Sequence, residues 1–309
     1  MKKALVLGAS GSMGNAITFE LVSRGVEVAA FARNKKKLDQ LFGDKKHVQV
    51  LSGDVFNSAD VIHAATDADV IFHAINIPYP EWAVKQHVLL NNILQAAKTN
   101  KTKLALVDNI YAYGRSNGNA ISEEFPKKPH TKKGRIRLEL EKMAKQSGVP
   151  VAIAHFPDFY GPQMGNTLLH YTFQSMIQNK RAMFVGNQEI AREYIYTPDG
   201  AKAIVELALH EKAYGKNWNI PGYGTITGKE IVQIAKEHTQ YTKKVRTVTK
   251  SMIRCLGLFN KIMREYVEMY YLNETPVVLS GKKYEQEIGS LPRTSYREGI
   301  FQTLQSMKQ

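Results

Sequence analysis

The chain has 309 residues, a formal net charge of +14 at pH 7, and an ordinary globular composition with 43% hydrophobic and 23% charged residues. Its single cysteine, Cys255, excludes an internal disulfide, and no group of cysteines and histidines has the spacing of a zinc site. The positive charge is compatible with an anionic ligand, nucleic acid or an acidic membrane surface, and bulk charge alone does not choose among them.

Short apolar runs recur through the first 157 residues and predict the strands of a parallel sheet. Many of their residues are β-branched, and Gly, Asp, Asn or Pro bounds them, as is typical of strands buried on both faces. The runs lie at 4–7, 26–31, 48–51, 70–74, 104–107 and 151–156. Helical patterns lie between them, including 15–23, 82–97 and 135–144. This alternation predicts an α/β fold with a Rossmann-type, doubly wound parallel sheet.

The first apolar run ends at Gly8 after about five residues, which is shorter than the hydrophobic part of a secretory signal. No later segment of the sequence reaches the length of a transmembrane helix. We therefore expect neither a leader nor a membrane span, and the low cysteine content favours a cytoplasmic protein.

Three glycines, Gly8, Gly11 and Gly14, stand three residues apart between the first predicted strand and the first predicted helix. In this arrangement a tight turn directs backbone N–H groups at a phosphate, and the missing Cβ atoms allow a diphosphate and the next strand to approach closely. The sequence therefore predicts a dinucleotide site. Its predicted contacts in the turn are Gly8, Ser10, Gly11, Ser12, Met13 and Gly14.

The end of the second predicted strand bears on which dinucleotide binds. An acidic residue there would accept hydrogen bonds from the ribose 2′-hydroxyl, whereas this chain has Arg33, followed by lysines at 35–37. A guanidinium attracts a 2′-phosphate, so we predict NADP in preference to NAD. The alternative is that Arg33 only covers the adenine and the lysines form a solvated helix start.

Five further segments occur in the order found in one large enzyme family. They are Gly-Asp-Val at 53–55, Asp-Val-Ile-Phe-His-Ala at 69–74, Tyr-Gly at 113–114, Phe-Pro-Asp-Phe-Tyr-Gly-Pro at 156–162, and Arg-Glu-Tyr-Ile-Tyr-Thr-Pro-Asp at 192–199. Together with the glycine turn they resemble the extended and atypical short-chain dehydrogenases/reductases, in the NAD-dependent epimerase/dehydratase branch. The resemblance covers nearly the whole chain.

The resemblance implies an oxidoreductase or epimerase-like enzyme that binds a small substrate, anionic or sugar-like, between two lobes. It places Asp54 and Val55 beside the adenine, and His73, Ala74 and Ile75 beside the cofactor. The regular alternation ends after Gly161. We therefore predict a cofactor domain over residues 1–160 and a smaller substrate lobe over residues 161–309 that is partly interleaved with the sheet.

The chain departs from its resembled family where proton transfer would occur. Active relatives carry Tyr-x-x-x-Lys after the fifth strand, but this pattern occurs nowhere in the sequence. Motif alignment puts Asn109 at the position of the family's serine or threonine, Lys133 near that of its tyrosine, and Arg137 near that of its lysine. Two alternatives remain open: an enzyme with altered acid/base residues, and a non-catalytic protein that responds to NADP(H).

For the enzyme alternative, Tyr111 is the predicted acid/base, with Arg137 supplying positive charge and Asn109 orienting a carbonyl oxygen. The competing interpretation makes Tyr111 a core aromatic residue. A proline-stiffened loop after the fourth strand presents further candidates for the substrate pocket. The predicted substrate contacts are Tyr79, Trp82, Tyr113, Arg135 and Tyr160.

Basic and apolar residues alternate between positions 243 and 264 in the pattern of an amphipathic helix. We expect this segment to pack against the protein or to cover the substrate cleft, rather than to lie on a membrane. We expect no nucleic-acid partner, because the sequence contains no recognised nucleic-acid-binding module.

Overall fold

A computed structural model describes residues 1–165 and 167–308 of the chain. The strands of this part are β1 (Lys3–Leu7), β2 (Glu27–Ala32), β3 (Val48–Ser52), β4 (Val70–His73), β5 (Lys103–Asn109), β6 (Ala120–Ile121), β7 (Val151–Phe156), β8 (Asp158–Tyr160), β9 (Met183–Val185), β10 (Ala191–Tyr196), β11 (Asn217–Asn219), β12 (Thr225–Thr227), β13 (Arg246–Val248) and β14 (Val278–Leu279).

The helices of the same part are α1 (Ser12–Ser23), α2 (Lys35–Phe42), α3 (Ser58–Ala64), α4 (Trp82–Asn100), α5 (Lys132–Gln146), α6 (Leu168–Ile177), α7 (Thr197–Leu209), α8 (Gly228–Thr239), α9 (Lys250–Gly257), α10 (Lys261–Tyr266), α11 (Lys282–Glu287) and α12 (Tyr296–Lys308). Short 3-10 helices occupy Tyr79–Glu81, Ile110–Tyr113, Glu211–Ala213 and Val267–Asn273.

The central sheet has seven strands in the order β11-β7-β5-β4-β1-β2-β3, and each neighbouring pair is parallel. All six strands predicted from apolar runs belong to it, so the predicted Rossmann-type fold is confirmed. The strand order reverses between β1 and β4. The carboxyl ends of these two strands therefore form the switch point at which open sheets bind ligands.

Helices cover both faces of this sheet, which explains why its strands are apolar throughout instead of alternating. On one face α1 packs against α7, and Ile17 and Ile204 are fully buried in the same apolar cluster. On the other face α4 packs against α3 and α5, where Leu89 is fully buried and Ile136 nearly so. Two layers of helices thus hold the strand ends at a fixed edge.

The second lobe is built around the smaller sheet β12-β10-β8. Strand β10 pairs parallel with β8 and antiparallel with β12. Arg192 on β10 donates hydrogen bonds to Asp158 Oδ2 on β8 at 2.5 Å and to Asn273 Oδ1 at 2.6 Å. This buried guanidinium therefore ties the segment around Asn273 to the sheet of the lobe.

Glu193, on the same strand, is a carboxyl group with only 4% of its surface exposed. Its Oε2 accepts a hydrogen bond from the Leu279 backbone N–H at 2.9 Å, and a second backbone hydrogen bond comes from Gly222. Burial outweighs both hydrogen bonds and raises the pKa of Glu193 from 4.5 to about 8. The native protein therefore holds this proton more tightly than the unfolded chain does.

We expect Glu193 to make stability fall as pH rises. Below the unfolded-state pKa of 4.5 this carboxyl is protonated in both states and does not change the free energy of unfolding. Between pH 4.5 and the native pKa of about 8 it ionises only in the unfolded chain, which lowers the free energy of unfolding. The unfolding free energy of the wild type should fall relative to that of Glu193→Gln across this window, by on the order of a few kcal/mol. Denaturant titrations across the window measure this difference. A pH-independent difference, or one equal to that of the exposed Glu27→Gln control, would contradict the assignment.

Candidate cofactor and active site

The glycine turn lies at the switch point between β1 and α1. Gly8 has a positive φ of +86°, and its N–H donates to the Phe31 carbonyl at 2.9 Å. A Cβ at Gly14 would lie 2.2 Å from the Gly8 carbonyl oxygen, so only glycine fits there. At Gly11 the nearest atom would be the same oxygen at 3.3 Å. Gly8 and Gly14 are therefore required by the fold, whereas a Cβ at Gly11 would need a shift of only a few tenths of an ångström.

The start of α1 has the features of an anion site. Gly11 is the N-cap residue, and within the described chain no side chain caps the first-turn N–H groups. Ser10 beside it is half-buried. Ser12 Oγ donates to the Pro162 carbonyl at 3.1 Å, so its proton is already engaged by the second lobe. Met13 is buried, and of its groups only the backbone N–H suits a phosphate.

The next two strands end in residues predicted for the adenosine half of a dinucleotide. Arg33 is exposed just after β2. Asp54 is exposed after β3, where its Oδ1 accepts from the Phe56 N–H at 3.0 Å and its own N–H donates to Asp60 Oδ2 at 2.8 Å. Val55 is buried. The structure thus brings these side chains to the same sheet edge as the glycine turn.

His73 ends β4, beside β1, and only 3% of its surface is exposed. Its Nδ1 accepts a hydrogen bond from the Ile75 backbone N–H at 3.3 Å. Burial, assisted by the positive charge of Arg137, lowers the pKa of His73 to about 3. The imidazole is therefore neutral at physiological pH. Ala74 and Ile75 follow it half-buried, and a Cβ on Gly8 would lie 3.0 Å from the Ala74 carbonyl oxygen.

Two tyrosines meet beyond the ends of β4 and β5. The hydroxyl oxygens of Tyr79 and Tyr111 are 2.7 Å apart and share one hydrogen bond. The Trp82 ring contacts both: its centroid lies 5.2 Å from that of Tyr79 and 6.1 Å from that of Tyr111. Trp82 Nε1 donates to the Ile77 carbonyl at 2.8 Å, which holds the indole in place. We call Tyr79 and Tyr111 the tyrosine pair.

Burial shifts the acidity of both hydroxyls of the tyrosine pair in the same direction. It raises the pKa of Tyr79 to about 12, although the hydrogen bond from Tyr111 and the charge of Arg137 act against that rise. Burial also raises the pKa of Tyr111 well above 10. Both phenols are therefore protonated at physiological pH, and together they titrate as one coupled pair.

Arg137 lies against the Trp82 ring, beside the tyrosine pair. Its Nη1 is 3.4 Å from Asp108 Oδ1, and its guanidinium carbon is 4.5 Å from the centroid of a Trp82 ring. Its Nε is buried and has no hydrogen-bond partner among residues 1–165 and 167–308. An unpaired buried N–H is costly, so an acceptor atom on a bound ligand would satisfy it.

Lys133, one turn earlier on α5, was expected at the position of the family's tyrosine. Only 1% of its side chain is exposed, and its Nζ donates to Glu265 Oε2 at 2.6 Å and to Glu268 Oε1 at 2.7 Å. The ammonium also lies 5.0 Å from the centroid of the Tyr79 ring. Lys133 therefore connects the tyrosine pair to α10 and the 3-10 helix after it.

The other predicted site residues divide into two groups. Asn109 Oδ1 accepts from the Tyr111 N–H at 3.0 Å, which places this amide directly beside the pair. Arg135 is exposed and donates to the His130 carbonyl at 3.1 Å. Tyr113 and Tyr160 are each only 1% exposed, and Tyr113 donates to Asn219 Oδ1 at 2.6 Å. The last three side chains therefore contact the protein interior or solvent instead of the tyrosine pair.

Sequence reasoning missed a buried network of charges beneath the site. His155 Nε2 lies 2.9 Å from Lys127 Nζ and 3.5 Å from Glu141 Oε2. His155 Nδ1 lies 3.8 Å from Asp108 Oδ2, and Asp108 in turn pairs with Arg137. Burial, with the Lys127 charge, lowers the pKa of His155 to about 4. The neutral imidazole thus lies between two buried carboxylates, and its hydrogen-bond partners are Lys127 Nζ and the Asn109 carbonyl at 3.2 Å.

In the described part of the chain, no three His, Cys, Asp or Glu residues are placed to hold a metal ion. The geometry instead favours an organic ligand at the sheet edge. The glycine turn presents the uncapped first-turn N–H groups of α1, the exposed Arg33 lies at one end, and the tyrosine pair lies at the other. This is the layout expected for a dinucleotide lying across the switch point.

Comparison with known proteins agrees with this geometry. Residues 8–158 match a family described as NAD(P)H-binding. UDP-glucuronic acid 4-epimerase from Bacillus cereus, solved in complex with NAD, is similar with a TM-score of 0.82 at 18% identity, over 99% of this chain and 98% of that one. UDP-glucose 4-epimerase from Thermotoga maritima, solved with UDP-glucose, has a TM-score of 0.79 at 16% identity, over 99% and 98%.

A relative found by sequence is YtcB of Bacillus subtilis, an uncharacterised UDP-glucose epimerase. It is 24% identical over 76% of this chain and 81% of its own length. The identities to the solved structures are low, so these comparisons establish the fold alone. That fold covers 99% of this chain.

Proposed function

Because the chain carries an NAD(P)H-binding domain and the fold of the extended short-chain dehydrogenase/reductase family, we propose that it is an NADP(H)-dependent enzyme of the epimerase/dehydratase type. Both findings agree with the family resemblance read from the motifs and support the binding of an NAD(P)-type cofactor. The choice of NADP over NAD, the substrate and the acid/base residues are the parts of this proposal that experiment must test.

The residues at the sheet edge suit the two halves of such a cofactor. The first-turn N–H groups of α1, with Gly11 as N-cap, would hold the diphosphate, and Arg33 would hold a 2′-phosphate. The side chains of Asp54 and His73 lie on either side of this turn, at the ends of β3 and β4. A nicotinamide cofactor supplies hydride transfer when it is bound.

The tyrosine pair is the single observation that carries the enzyme proposal. Two hydroxyls within 2.7 Å of each other, beside the Arg137 charge and after the ends of β4 and β5, form a group that can give up or take a proton at one atom. We assign that atom to Tyr79 Oη, because the Lys133 ammonium lies 5.0 Å from the centroid of the Tyr79 ring and the charge of Arg137 opposes the rise in the pKa of Tyr79. Tyr111 stabilises the Tyr79 oxygen through the shared hydrogen bond.

This pair would replace the missing Tyr-x-x-x-Lys of the family. Near the tyrosine's place in that pattern stands Lys133, whose ammonium lies over the Tyr79 ring at 5.0 Å. Near the lysine's place stands Arg137, whose charge opposes the rise in the pKa of Tyr79. The positive charge of the family's site is thus kept while the phenol comes from a different segment of the chain.

We propose a nucleotide sugar as the substrate class. Two of the structural relatives bear the names of UDP-sugar epimerases, and one was solved with UDP-glucose. In this chain the unpaired Nε of Arg137 and the amide of Asn109 would orient a sugar hydroxyl or carbonyl beside the tyrosine pair.

The test has two steps. The first is calorimetric titration with NADPH and NADH, and the second is incubation of the loaded protein with a panel of UDP- and dTDP-sugars, followed by nicotinamide absorbance and product chromatography. Conversion of any panel member supports the enzyme. Tight cofactor binding with no conversion across the panel favours the second candidate.

That second candidate is a non-catalytic protein that responds to NADP(H). The double ion pair of Lys133 with Glu265 and Glu268 favours it, because these carboxylates fix the position at which the family's catalytic phenol would stand. In such a protein the tyrosine pair would only fasten α10 over the cofactor, and cofactor binding would change proteolysis of the α9–α10 segment without any turnover.

Reversing the charge at Arg33 is expected to reverse cofactor preference. Arg33→Asp should lower the affinity for NADPH relative to NADH by about 10- to 100-fold, because an aspartate repels the 2′-phosphate and accepts hydrogen bonds from the 2′-hydroxyl. Paired titrations with both reduced cofactors measure the ratio. Lys101→Glu, which reverses an exposed charge at the opposite sheet edge, should leave the ratio unchanged. An unchanged ratio in Arg33→Asp would rule out the proposed role.

A further inference from the structure

The turn between α9 and α10 exposes an unusual number of large apolar side chains. Phe259 is 90% exposed and Leu258 75%, while the neighbouring Met252, Leu256 and Ile262 are 43%, 53% and 51% exposed. Exposed apolar residues scattered singly are ordinary, but five within eleven positions form a patch that marks an interaction surface. We call these five residues the apolar tip.

The segment of sequence that contains the apolar tip is strongly basic. Residues 241–264 contain seven lysines and arginines and no aspartate or glutamate, so this stretch holds half of the net charge of +14. Arg254, Lys261 and Arg264 are exposed, and within the described residues they form no ion pair. Cations left without counterions beside exposed apolar groups fit a surface that is both negatively charged and apolar below its charges.

The tip is held firmly by the rest of the lobe. On the inner side of α9, Ile253 is 2% exposed, and a Cβ at Gly257 would lie 3.0 Å from the Cα of Arg264, so the two helices are in close contact. Asn260 caps α10, its Oδ1 accepting from the N–H groups of Ile262 and Met263 at 2.9 and 3.1 Å. Exposure of the outer side is therefore a property of a fixed hairpin.

We propose that the apolar tip docks this protein on the surface of an anionic lipid bilayer. The exposed side chains enter the interface between headgroups and acyl chains, and the three free cations contact the anionic headgroups. In the described part of the chain no helix is long and apolar enough to cross a membrane, so the contact is peripheral. The basic segment at 243–264, which was expected to pack on the protein as an amphipathic helix, forms β13, α9 and α10 instead. Its two helices pack on the protein with one side only.

Vesicle flotation tests the proposal with the full-length protein. We expect retention on vesicles of phosphatidylcholine mixed with phosphatidylglycerol, weak retention on pure phosphatidylcholine, and release at high salt. A second readout uses Phe259→Trp, whose emission should shift to the blue with anionic vesicles. The two native tryptophans, Trp82 and Trp218, are buried at 2% and 0% exposure, so they give a constant background.

Two sets of variants separate the apolar and charged parts. Leu258→Ser with Phe259→Ser should weaken retention by about 100-fold. Arg254→Gln, Lys261→Gln and Arg264→Gln together should weaken it by about 100-fold on anionic vesicles, at roughly fivefold for each charge. The matched controls are Val84→Ser, another 75% exposed apolar residue, and Lys98→Gln with Lys101→Gln and Lys142→Gln, another exposed basic set.

The unfolding midpoints and NADPH affinities of the variants serve as the folding control, and both should equal those of the wild type. Because cofactor affinity is measured separately from vesicle binding, failure of this proposal is distinguishable from failure of the proposed function. Absence of vesicle binding by the folded wild type overturns membrane docking. So does equal loss of binding in the control variants. Self-association that Leu258→Ser with Phe259→Ser abolishes, without vesicle binding, would assign the tip to a second copy of the chain instead.

Discussion

Replacing Gly11 with alanine should abolish tight binding of NADPH and leave the protein folded. The added Cβ would lie 3.3 Å from the Gly8 carbonyl oxygen, a contact that a shift of a few tenths of an ångström relieves. On its outer side, however, the methyl group enters the space through which a diphosphate reaches the first-turn N–H groups of α1. We expect the dissociation constant for NADPH to rise about 100-fold or more, as measured by calorimetry.

The matched variant is Gly14→Ala, in which the same methyl group meets backbone. Its Cβ would lie 2.2 Å from the Gly8 carbonyl oxygen and 2.9 Å from the Ala9 Cα, so the fold itself must distort. We expect a clear fall in its unfolding midpoint, which Gly11→Ala should not show. If Gly11→Ala bound NADPH as the wild type does, the glycine turn would not be the diphosphate cradle and the cofactor assignment would fail.

Most of the fold was predictable from the sequence because its signals are local. A strand buried on both faces must be apolar along its length, so the six runs of the central sheet stand out between amphipathic helices. The glycine turn is equally local, since a positive φ at Gly8 and a Cβ clash at Gly14 leave no other residue type. The seventh strand, β11, gives a weaker signal because it is only three residues long. Its pairing with β7 cannot be predicted locally, because β7 is far away in sequence.

The acid/base geometry was harder to predict because it depends on contacts between distant segments. Tyr79 and Tyr111 are 32 positions apart, and nothing in either segment shows that their hydroxyls meet. The sequence left Tyr111 open as either an acid/base or a core aromatic residue, and gave no sign of its hydrogen bond to Tyr79. The acid/base role of this tyrosine stays a prediction. Nothing in the sequence around Lys133 indicates that its ammonium pairs with Glu265 and Glu268, which lie more than 130 positions later.

The buried charge network was missed for the same reason. His155 has no carboxylate at motif spacing, but β5 and β7 pair in a register that sets Asp108 opposite His155. Glu141 reaches the same imidazole from α5. Strand register is a property of the whole sheet, and no short window of sequence contains it. An apolar strand interrupted by a histidine, as in Val-Ala-Ile-Ala-His-Phe, was the one available signal.

The tyrosine pair can be tested by removing one hydroxyl at a time. Because burial raises the pKa of Tyr79 to about 12, its phenol stays protonated over the physiological range and can act as a general acid at Oη. Tyr111 contributes the hydrogen bond that lowers the pKa of Tyr79, so its hydroxyl acts through its neighbour. The two variants should therefore differ in the size of their effect on turnover.

Tyr79→Phe should lower kcat for the substrate found in the nucleotide-sugar panel by about 100- to 10,000-fold and leave the NADPH dissociation constant unchanged, because it removes the transferable proton and no cofactor contact. Tyr111→Phe should cost about tenfold, the effect of one lost hydrogen bond. Tyr214→Phe, which loses a hydroxyl bonded to the Ala208 carbonyl at 2.8 Å, is the control for removing a tyrosine hydroxyl elsewhere. Wild-type turnover in Tyr79→Phe would eliminate this phenol as the acid, and a greater loss in Tyr111→Phe than in Tyr79→Phe would return that role to Tyr111.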